Sequence, residues 1–329
     1  MGTPRRDSTL HSTTLHTVTP RNFKLRSRRG FLGLLAASSL LLSGCGVVAV
    51  TPTTTMPLSF DDAAGTSIAS PLGGTAPSEG KPAPGRIPVY WLGLNGSDVQ
   101  LYREFQPAER GGDPIGEAVL AMTSGKPSDP DYFNPWNPAG SVTASISGKN
   151  VITVDISEDA FKSSMDAGMA HRAVQQLVYT ATAAASNAGL TTVGYEPTVV
   201  LLVDGKAGFT AFGHEVLEGS LLRDASLVAP IWIIDPHEGA GSQSSLKVHG
   251  TAVSEGGQLS WRVEPIVDGR PAEHAVATGY AELEAPTGGT SLFSFAVELP
   301  PGDYNVSVFH GTDRRDVDSK RVSVSSVAQ

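Results

Sequence analysis

Cysteine is almost missing from this chain, since Cys45 is the single one among 329 residues. A disulfide needs a second thiol, so no disulfide within the chain can stabilise the fold. A catalytic thiol would need histidine and asparagine or aspartate around a cleft, whereas Cys45 stands at the end of an apolar run. The lone cysteine therefore excludes a disulfide scaffold, and its role has to be read from its neighbours.

The sequence also has a hydrophobic run near its N-terminus that is too short to span a membrane as a helix. The apolar run Phe31–Leu42 has about a dozen residues, while a spanning helix needs about 20. Basic residues precede this run and small residues follow it, which is typical of a secretory signal peptide. The sequence predicts that residues 1–44 are a signal peptide that is removed.

Two short motifs in this segment resemble export signals of bacteria. Leu42-Ser43-Gly44-Cys45 resembles a lipobox, which implies that Cys45 is acylated and becomes the mature N-terminus. Ser27-Arg28-Arg29-Gly30-Phe31-Leu32 resembles the twin-arginine signal, with Gly33 at the place of the usual lysine. The alternative for Arg28 and Arg29 is an ordinary basic region of the general secretory route.

Basic charge is scarce once that segment is set aside. Residues 1–44 hold seven of the 24 basic residues and one of the 33 acidic residues, so the remainder has a net charge of −15. Nucleic acid is excluded as a partner, because phosphate binding needs a basic face. Anionic lipid would repel the mature chain, so we expect its membrane attachment to come from acyl chains on Cys45.

Catalytic and metal-binding motifs are lacking as well. The sequence has no H-E-x-x-H pair, no Walker loop and no G-x-S-x-G elbow, so we expect no metal, no cofactor and no enzyme activity. Asp155 and Ser157 could serve as base and nucleophile, but their place at a strand end and helix start favours a structural role.

Composition divides the mature chain into three parts. Residues 45–85 are rich in Thr, Ser, Pro and Gly and predict a disordered tether. At about 5–6 Å times the square root of its length, such a tether holds the folded part some 30–40 Å from the membrane. The pattern changes again near residues 225–229, where we expect the boundary between an 86–225 domain and a 226–329 domain.

Residues 86–225 predict an α+β domain in the order β-β-α-β-β-α-β-β, with its helices on one face of a sheet. The predicted elements are strands Ile87–Leu94 and Val99–Gln106 joined by "NGSD", helix Pro114–Thr123 capped by Asp113, a hairpin around Lys149-Asn150, helix Met165–Ala188, strand Val199–Val203 and a return strand Gly208–Phe212. Residues 226–329 show seven alternating runs at about ten-residue spacing and predict an all-β sandwich, with Trp261 in its core.

Five segments of the α+β part carry a family resemblance: "IPVYWLG", "NVITVDISEDAF", "AHRAVQQLVYTATAA", "TVVLLVDG" and "LLRD". Through them, residues 86–223 resemble the GerMN domain of sporulation and spore-germination proteins. Through "LKVHGTAVSEGGQLSWRV" and "FAVELPPGDYNVSVFHGTD", the all-β part is similar to the immunoglobulin-like domain that accompanies GerMN. The resemblance implies a non-enzymatic envelope protein. GerMN domains resemble ring-building modules, which implies that this protein is able to self-associate.

The insertion "PSDPDYFNPWNPAGS" departs from the family pattern and contains Tyr132, Phe133 and Trp136. Aromatic side chains among prolines and asparagines suggest a loop that anchors a partner. The alternative is that the three rings fold back as a cap on the domain.

These observations predict a lipid-anchored protein on the extracytoplasmic side of the cell membrane. We expect it to act as a binding or assembly scaffold, with an envelope protein or the cell wall as its partner. The alternative is a solute-binding or peptidoglycan-modifying lipoprotein.

Overall fold

The computed structural model describes residues 85–108, 112–253, 259–281, 283–284, 290–311 and 315–326. The signal peptide, Arg28, Arg29, Cys45 and the predicted tether lie outside the described residues, and predictions about them stay predictions. None of the helices in the described ranges is both long enough and apolar enough to cross a membrane.

Residues 85–229, called here the N-terminal part, hold both α-helices of the described chain. Its elements are β1 (Arg86–Asn95), β2 (Asp98–Pro107), α1 (Pro114–Ser124), β3 (Tyr132–Phe133), β4 (Val142–Ile146), β5 (Val151–Ile156), a 3₁₀ turn (Glu158–Phe161), α2 (Ala167–Asn187), β6 (Thr198–Val203), β7 (Thr210–Ala211), β8 (Glu215–Val216) and a 3₁₀ turn (Ala225–Leu227). The strands pair in the orders β2-β1-β3, β4-β5-β6 and β7-β8.

Residues 230–326, called here the C-terminal part, contain strands and no helix among the residues that the structure describes. These are β9 (Ile231–Asp235), β10 (Ala240–Ser242), β11 (Ser245–Val253), β12 (Leu259–Val267), β13 (Arg270–Pro271), β14 (Ala277–Ala281), β15 (Thr290–Glu298), β16 (Gly302–His310) and β17 (Arg315–Val324). They pair in the orders β10-β17-β16-β12-β13, with β14 beside β12, and β15-β11-β9. Side chains of both sheets share one core, in which Phe293 is buried and Trp261 stacks on Phe295 with ring centroids 4.5 Å apart.

Local sequence signals explain the first elements of the N-terminal part. Strands β1 and β2 form an antiparallel hairpin through Asn95 and Asp98, and Gly96 in its turn has φ +62°. Helix α1 begins after Asp113, whose Oδ1 accepts hydrogen bonds from the backbone N–H groups of Ile115 and Gly116. Both elements agree with the sequence-based expectations.

Helix α2 lies between two sheets and is buried on nearly every side. Its alanines pack in a core with residues of β1, β5 and β6, and Ala183 packs beside Tyr90 and Leu92 of β1. Gln176 Nε2 donates to the carbonyl oxygen of Tyr90 at 2.9 Å, and the N–H of Tyr90 donates to Thr180 Oγ1 at 3.1 Å. The expectation that the helices cover one face of a single sheet is therefore wrong, because the strands form separate sheets and α2 contacts strands of both β2-β1-β3 and β4-β5-β6.

The predicted return strand after β6 is also wrong in its pairing. Instead of running back along β6, Thr210–Ala211 pairs with Glu215–Val216. The chain turns back directly after Ala211 because Phe212 and Gly213 both have positive φ, +52° and +76°. A two-residue hairpin replaces the expected longer strand.

Candidate functional site

The aromatic segment Tyr132–Trp136 is packed inside the molecule. Tyr132 and Trp136 are only 7% and 6% exposed, and Phe133 is half-buried. The expectation that Tyr132 and Trp136 are exposed anchors is therefore wrong, and the capping alternative agrees with their burial. Partner binding by the half-buried Phe133 stays a prediction.

An asparagine amide explains why this segment folds inward. Asn134 Nδ2 donates to the carbonyl oxygen of Met122 at 2.8 Å and to that of Thr123 at 3.2 Å. These carbonyls belong to the last turn of α1, whose acceptors have no partner within the helix. Asn134 thus fastens the insertion to the end of α1 and directs the neighbouring rings into the core.

Trp136 completes an aromatic cluster beside the 3₁₀ turn. Its ring centroid lies 5.1 Å from that of Phe161 and 5.0 Å from that of Phe212, in edge-to-face arrangements. Such geometries add to the stabilisation gained by burial of the rings. This cluster serves packing, because its rings face one another rather than an open cavity.

Tyr132 belongs to a buried charged group that joins the two parts of the chain. This group, called here the interface cluster, consists of Asp129, Tyr132, Asp318 and Lys320, all less than a tenth exposed. Lys320 Nζ donates to Asp129 Oδ2 at 2.7 Å, to the Tyr132 hydroxyl oxygen at 2.7 Å and to Asp318 Oδ1 at 2.9 Å. Since an ammonium group has three N–H donors, all donors of Lys320 are used.

The two carboxylates of the interface cluster bind backbone as well as Lys320. Asp318 Oδ2 accepts the N–H of Ile233 at 2.6 Å, and its Oδ1 accepts the Tyr132 hydroxyl at 3.0 Å. Asp129 Oδ1 accepts the N–H of Asp131 at 2.9 Å. Ile233 lies in β9, which is at the edge of its sheet and pairs with β11 on one side. Asp318 therefore binds a backbone N–H group on the unpaired side of this edge strand.

Burial and charge change the proton affinities of the interface cluster. Burial alone lowers the pKa of Lys320, but the charges of Asp318 and Asp129 outweigh it and hold the pKa above 10.5. Burial, followed by the same two carboxylates, raises the pKa of the Tyr132 hydroxyl well above 10.0. Lys320 therefore stays charged and Tyr132 stays neutral at physiological pH.

The raised pKa of Tyr132 predicts a pH-dependent contribution to stability. Above pH 10 the unfolded chain releases the Tyr132 proton while the folded chain retains it, so the contribution of this hydroxyl is lost as pH rises. We expect Tyr132→Phe to be less stable than the unaltered chain at pH 8, by about 1–3 kcal/mol, and the difference to narrow towards pH 11. Urea unfolding of both chains over this range measures it, and a difference that does not change with pH would contradict the assignment.

Strand β9 is shared by the cores of the two parts. Ile231 and Ile233 face the C-terminal core, whereas Trp232 packs on the N-terminal core. Trp232 Nε1 donates to the carbonyl oxygen of Arg103 at 3.1 Å, and the Arg103 guanidinium carbon lies 4.3 Å from the Trp232 ring centroid. One strand therefore presents alternate residues to two cores and connects the two parts.

An open cleft lies beside this contact. It has a volume of about 800 Å³, which is within the usual range of ligand pockets. Phe105 and Trp232 form apolar parts of its wall, and Asp235, Glu238 and His249 add polar groups. The cleft is large enough for a small solute, yet the interface cluster beneath it is already hydrogen-bonded internally.

The residues weighed for catalysis have structural partners. Asp155 Oδ1 accepts the N–H of Gly205 at 2.9 Å and so fixes the turn after β6. Ser157 Oγ accepts the N–H groups of Gly140 and Ser141 at 2.9 and 3.1 Å and donates to Asp159. Within the described ranges, no group of three or more His, Cys, Asp or Glu residues is placed to hold a metal ion.

Asp129, Asp318 and Lys320 were not predicted from the sequence as site residues. A signal was present in β17, where Asp318 and Lys320 share one strand face with the buried Val322 and Val324. Opposite charges that continue an apolar face indicate a buried ion pair. Asp129, which also binds Lys320, lies 191 residues earlier in the chain, so no local sequence pattern reveals this contact.

One region of the chain matches a known protein family. Residues 88–208 match the family model Germane, described as "Sporulation and spore germination". None of the curated proteins compared with the chain matches it.

Three solved structures are similar to parts of the chain. The tandem GerMN domains of the sporulation protein GerM from Bacillus subtilis have 17% identity and a TM-score of 0.33, over 44% of this chain and 46% of that one. The first GerMN domain of the same protein has 11% identity and a TM-score of 0.32, over 42% and 97%. The ZIG-8 IG1 homodimer has 9% identity and a TM-score of 0.15, over 28% and 83%. This chain thus spans less than half of the tandem structure.

Proposed function

We propose that the protein is a non-enzymatic, lipid-anchored component of a bacterial cell envelope, which the match of residues 88–208 to the Germane family model supports. Its GerMN-like domain and an immunoglobulin-like sandwich in residues 226–329 act together as a binding or assembly scaffold. The anchor is an acylated Cys45, and the folded body faces the extracytoplasmic side of the membrane.

The interface cluster carries the scaffold proposal. Its hydrogen-bonding groups bind one another and the backbone of β9. These groups therefore hold the two parts together and are not available to bind a substrate. A catalytic group would need its reactive atom free, whereas the hydrogen-bonding groups of this cluster are bound to one another. A body joined in this way presents fixed surfaces to a partner, which favours recognition over chemistry.

Anchoring predicts a clear effect of one substitution. Cys45→Ala removes the acylated thiol, so we expect the protein to remain uncleaved or to leave the membrane fraction in soluble form. Metabolic labelling with an alkyne fatty acid measures acylation directly. Ser43→Ala serves as the matched control, because it keeps a small residue and the thiol. Continued labelling of Cys45→Ala would contradict the assignment of the lipid to this residue.

Crosslinking in intact envelopes tests the scaffold role. We expect an envelope protein or cell-wall fragment to be recovered with the full chain and to be lost when Cys45→Ala removes the protein from the membrane. Recovery of second copies of the chain would identify self-association as the mode of assembly. A chain that is anchored but crosslinks to neither would contradict the scaffold proposal.

Solute binding is the second candidate, and the open cleft beside Trp232 favours it. A pocket of about 800 Å³ with aromatic and charged walls could hold a small polar molecule. Native mass spectrometry of the protein purified from envelopes distinguishes the candidates, because a solute carrier retains a bound small molecule and a scaffold does not.

A further inference from the structure

The loop after α2 exposes a dense group of large apolar side chains. Leu190, Val193 and Tyr195 are 43%, 93% and 51% exposed and lie within six consecutive residues. No other stretch of the described chain places three exposed large hydrophobic residues so close together. Exposed apolar groups of this density mark an interaction site.

The loop is held in a fixed shape, which distinguishes it from a loose connection. Gly189 ends α2 with φ +70°, its N–H bonds the carbonyl oxygen of Ser186, and the N–H of Leu190 bonds that of Ala185. This is the Schellman arrangement of a helix C-terminus. The exposed side chains therefore start from a rigid support.

A buried asparagine holds the other half of the loop. Asn150 Nδ2 donates to the carbonyl oxygens of Thr192 and Tyr195 at 2.8 and 2.7 Å, and its Oδ1 accepts the N–H of Thr192 at 2.7 Å. Asn150 is 1% exposed and has φ +59°, a conformation that Asn tolerates better than most residues. The hydrogen bonds keep the backbone folded while Val193 and Tyr195 point outward.

The loop lies at the end of the body where the N-terminal chain enters. Asn187, in the last turn of α2, donates from Nδ2 to the carbonyl oxygen of Arg86 at 3.4 Å, and Arg86 is the first residue of β1. Leu94, near the opposite end of β1, is about 26 Å from Arg86, at roughly 3.3 Å per residue. A flexible tether from Cys45 would join the body at this end, which lets this end approach the membrane more easily than the opposite one.

We propose that Leu190, Val193 and Tyr195 insert into the lipid interface and orient the anchored body on the membrane. This inference rests on the proposed anchoring through Cys45. Tyrosine suits the level of the lipid headgroups, since its ring is apolar and its hydroxyl polar. The exposed Lys149 next to Asn150 and the half-buried Arg86 supply positive charge for lipid phosphates at this end of an otherwise acidic chain, and they outnumber the exposed carboxylate of Glu196 beside Tyr195.

The single cysteine makes the test specific. In the lipidated full chain Cys45 is blocked, so Val193→Cys accepts an environment-sensitive fluorophore at one position only. The matched control is Leu94→Cys, which is 66% exposed at the other end of β1. Both chains are reconstituted into vesicles of phosphatidylcholine and phosphatidylglycerol, floated on a gradient and treated with spin-labelled lipid as a quencher.

We expect the label at position 193 to shift to the blue and to be quenched, while the label at position 94 does neither. Adding Leu190→Asp to the Val193→Cys chain should reduce the quenching. Flotation without quenching at position 193, or equal quenching at both positions, would overturn the inference and leave the anchoring intact. A blue shift without vesicles would indicate contact between copies and overturn it too. Failure to float would refute the anchoring and the inference together.

Discussion

Lys320→Met should lower the free energy of unfolding by about 3–5 kcal/mol, because it leaves two buried carboxylates without their cation. Asp129 and Asp318 are 1% and 4% exposed, so water cannot replace the lost ammonium group. Methionine keeps a similar length, which limits the effect of lost packing. Urea unfolding at pH 7 measures the change. The dependence of the free energy of unfolding on urea concentration should be the same in both chains, which shows that the unfolded state is unaltered.

Two further chains separate charge from shape in that experiment. Lys247→Met removes an exposed lysine from β11 and should change stability by less than about 0.5 kcal/mol. Asp129→Asn and Asp318→Asn added to Lys320→Met remove the unpaired charges and should recover part of the loss. A Lys320→Met chain as stable as the Lys247→Met control would show that the interface cluster does not hold the parts together.

Trp136→Ala should cost about 3–5 kcal/mol, as expected for a buried aromatic ring that leaves a cavity. The cavity would open against Phe161 and Phe212, whose rings contact Trp136 edge-on. Thermal unfolding measures the effect as a lowered melting temperature.

Trp136→Phe is the matched control for that substitution. In the part of the chain that the structure describes, Trp136 Nε1 has no hydrogen-bond partner. Phenylalanine therefore loses volume alone and should cost much less than alanine. Tyr280→Ala, at an aromatic position that is 66% exposed, should leave the melting temperature nearly unchanged. A small effect of Trp136→Ala would contradict the burial of Trp136 and would favour the alternative that the aromatic segment is exposed and binds a partner.

Elements set by local signals were predictable from the sequence. The Asn95-Gly96 turn, the Asp113 cap and the hairpin around Lys149-Asn150 all stand where the pattern indicated. Helix α2 begins two residues later and ends one residue earlier than predicted. Each of these features depends on residues within a few positions of one another, which a sequence pattern can report.

Features that depend on distant contacts were not predictable. Gln176 and Thr180 look like the solvent face of an amphipathic helix, yet they bind the backbone of β1 about 90 residues earlier. Tyr132 looked exposed because its neighbours are proline and asparagine, but its hydroxyl bonds Asp318 in the other part of the chain. The boundary near residues 225–229 stays a prediction, and Ala229 bonds the carbonyl oxygen of Leu101 in β2.

Native-state hydrogen exchange tests most directly whether the N-terminal and C-terminal parts unfold as one cooperative body. Val154 in β5 and Val306 in β16 are both 0% exposed and belong to the separate cores. If the shared strand β9 and the interface cluster join those cores, both amides should exchange by one global opening with the same free energy. Exchange in one part at a free energy more than about 1 kcal/mol below the other would show two independently unfolding domains and contradict the claim.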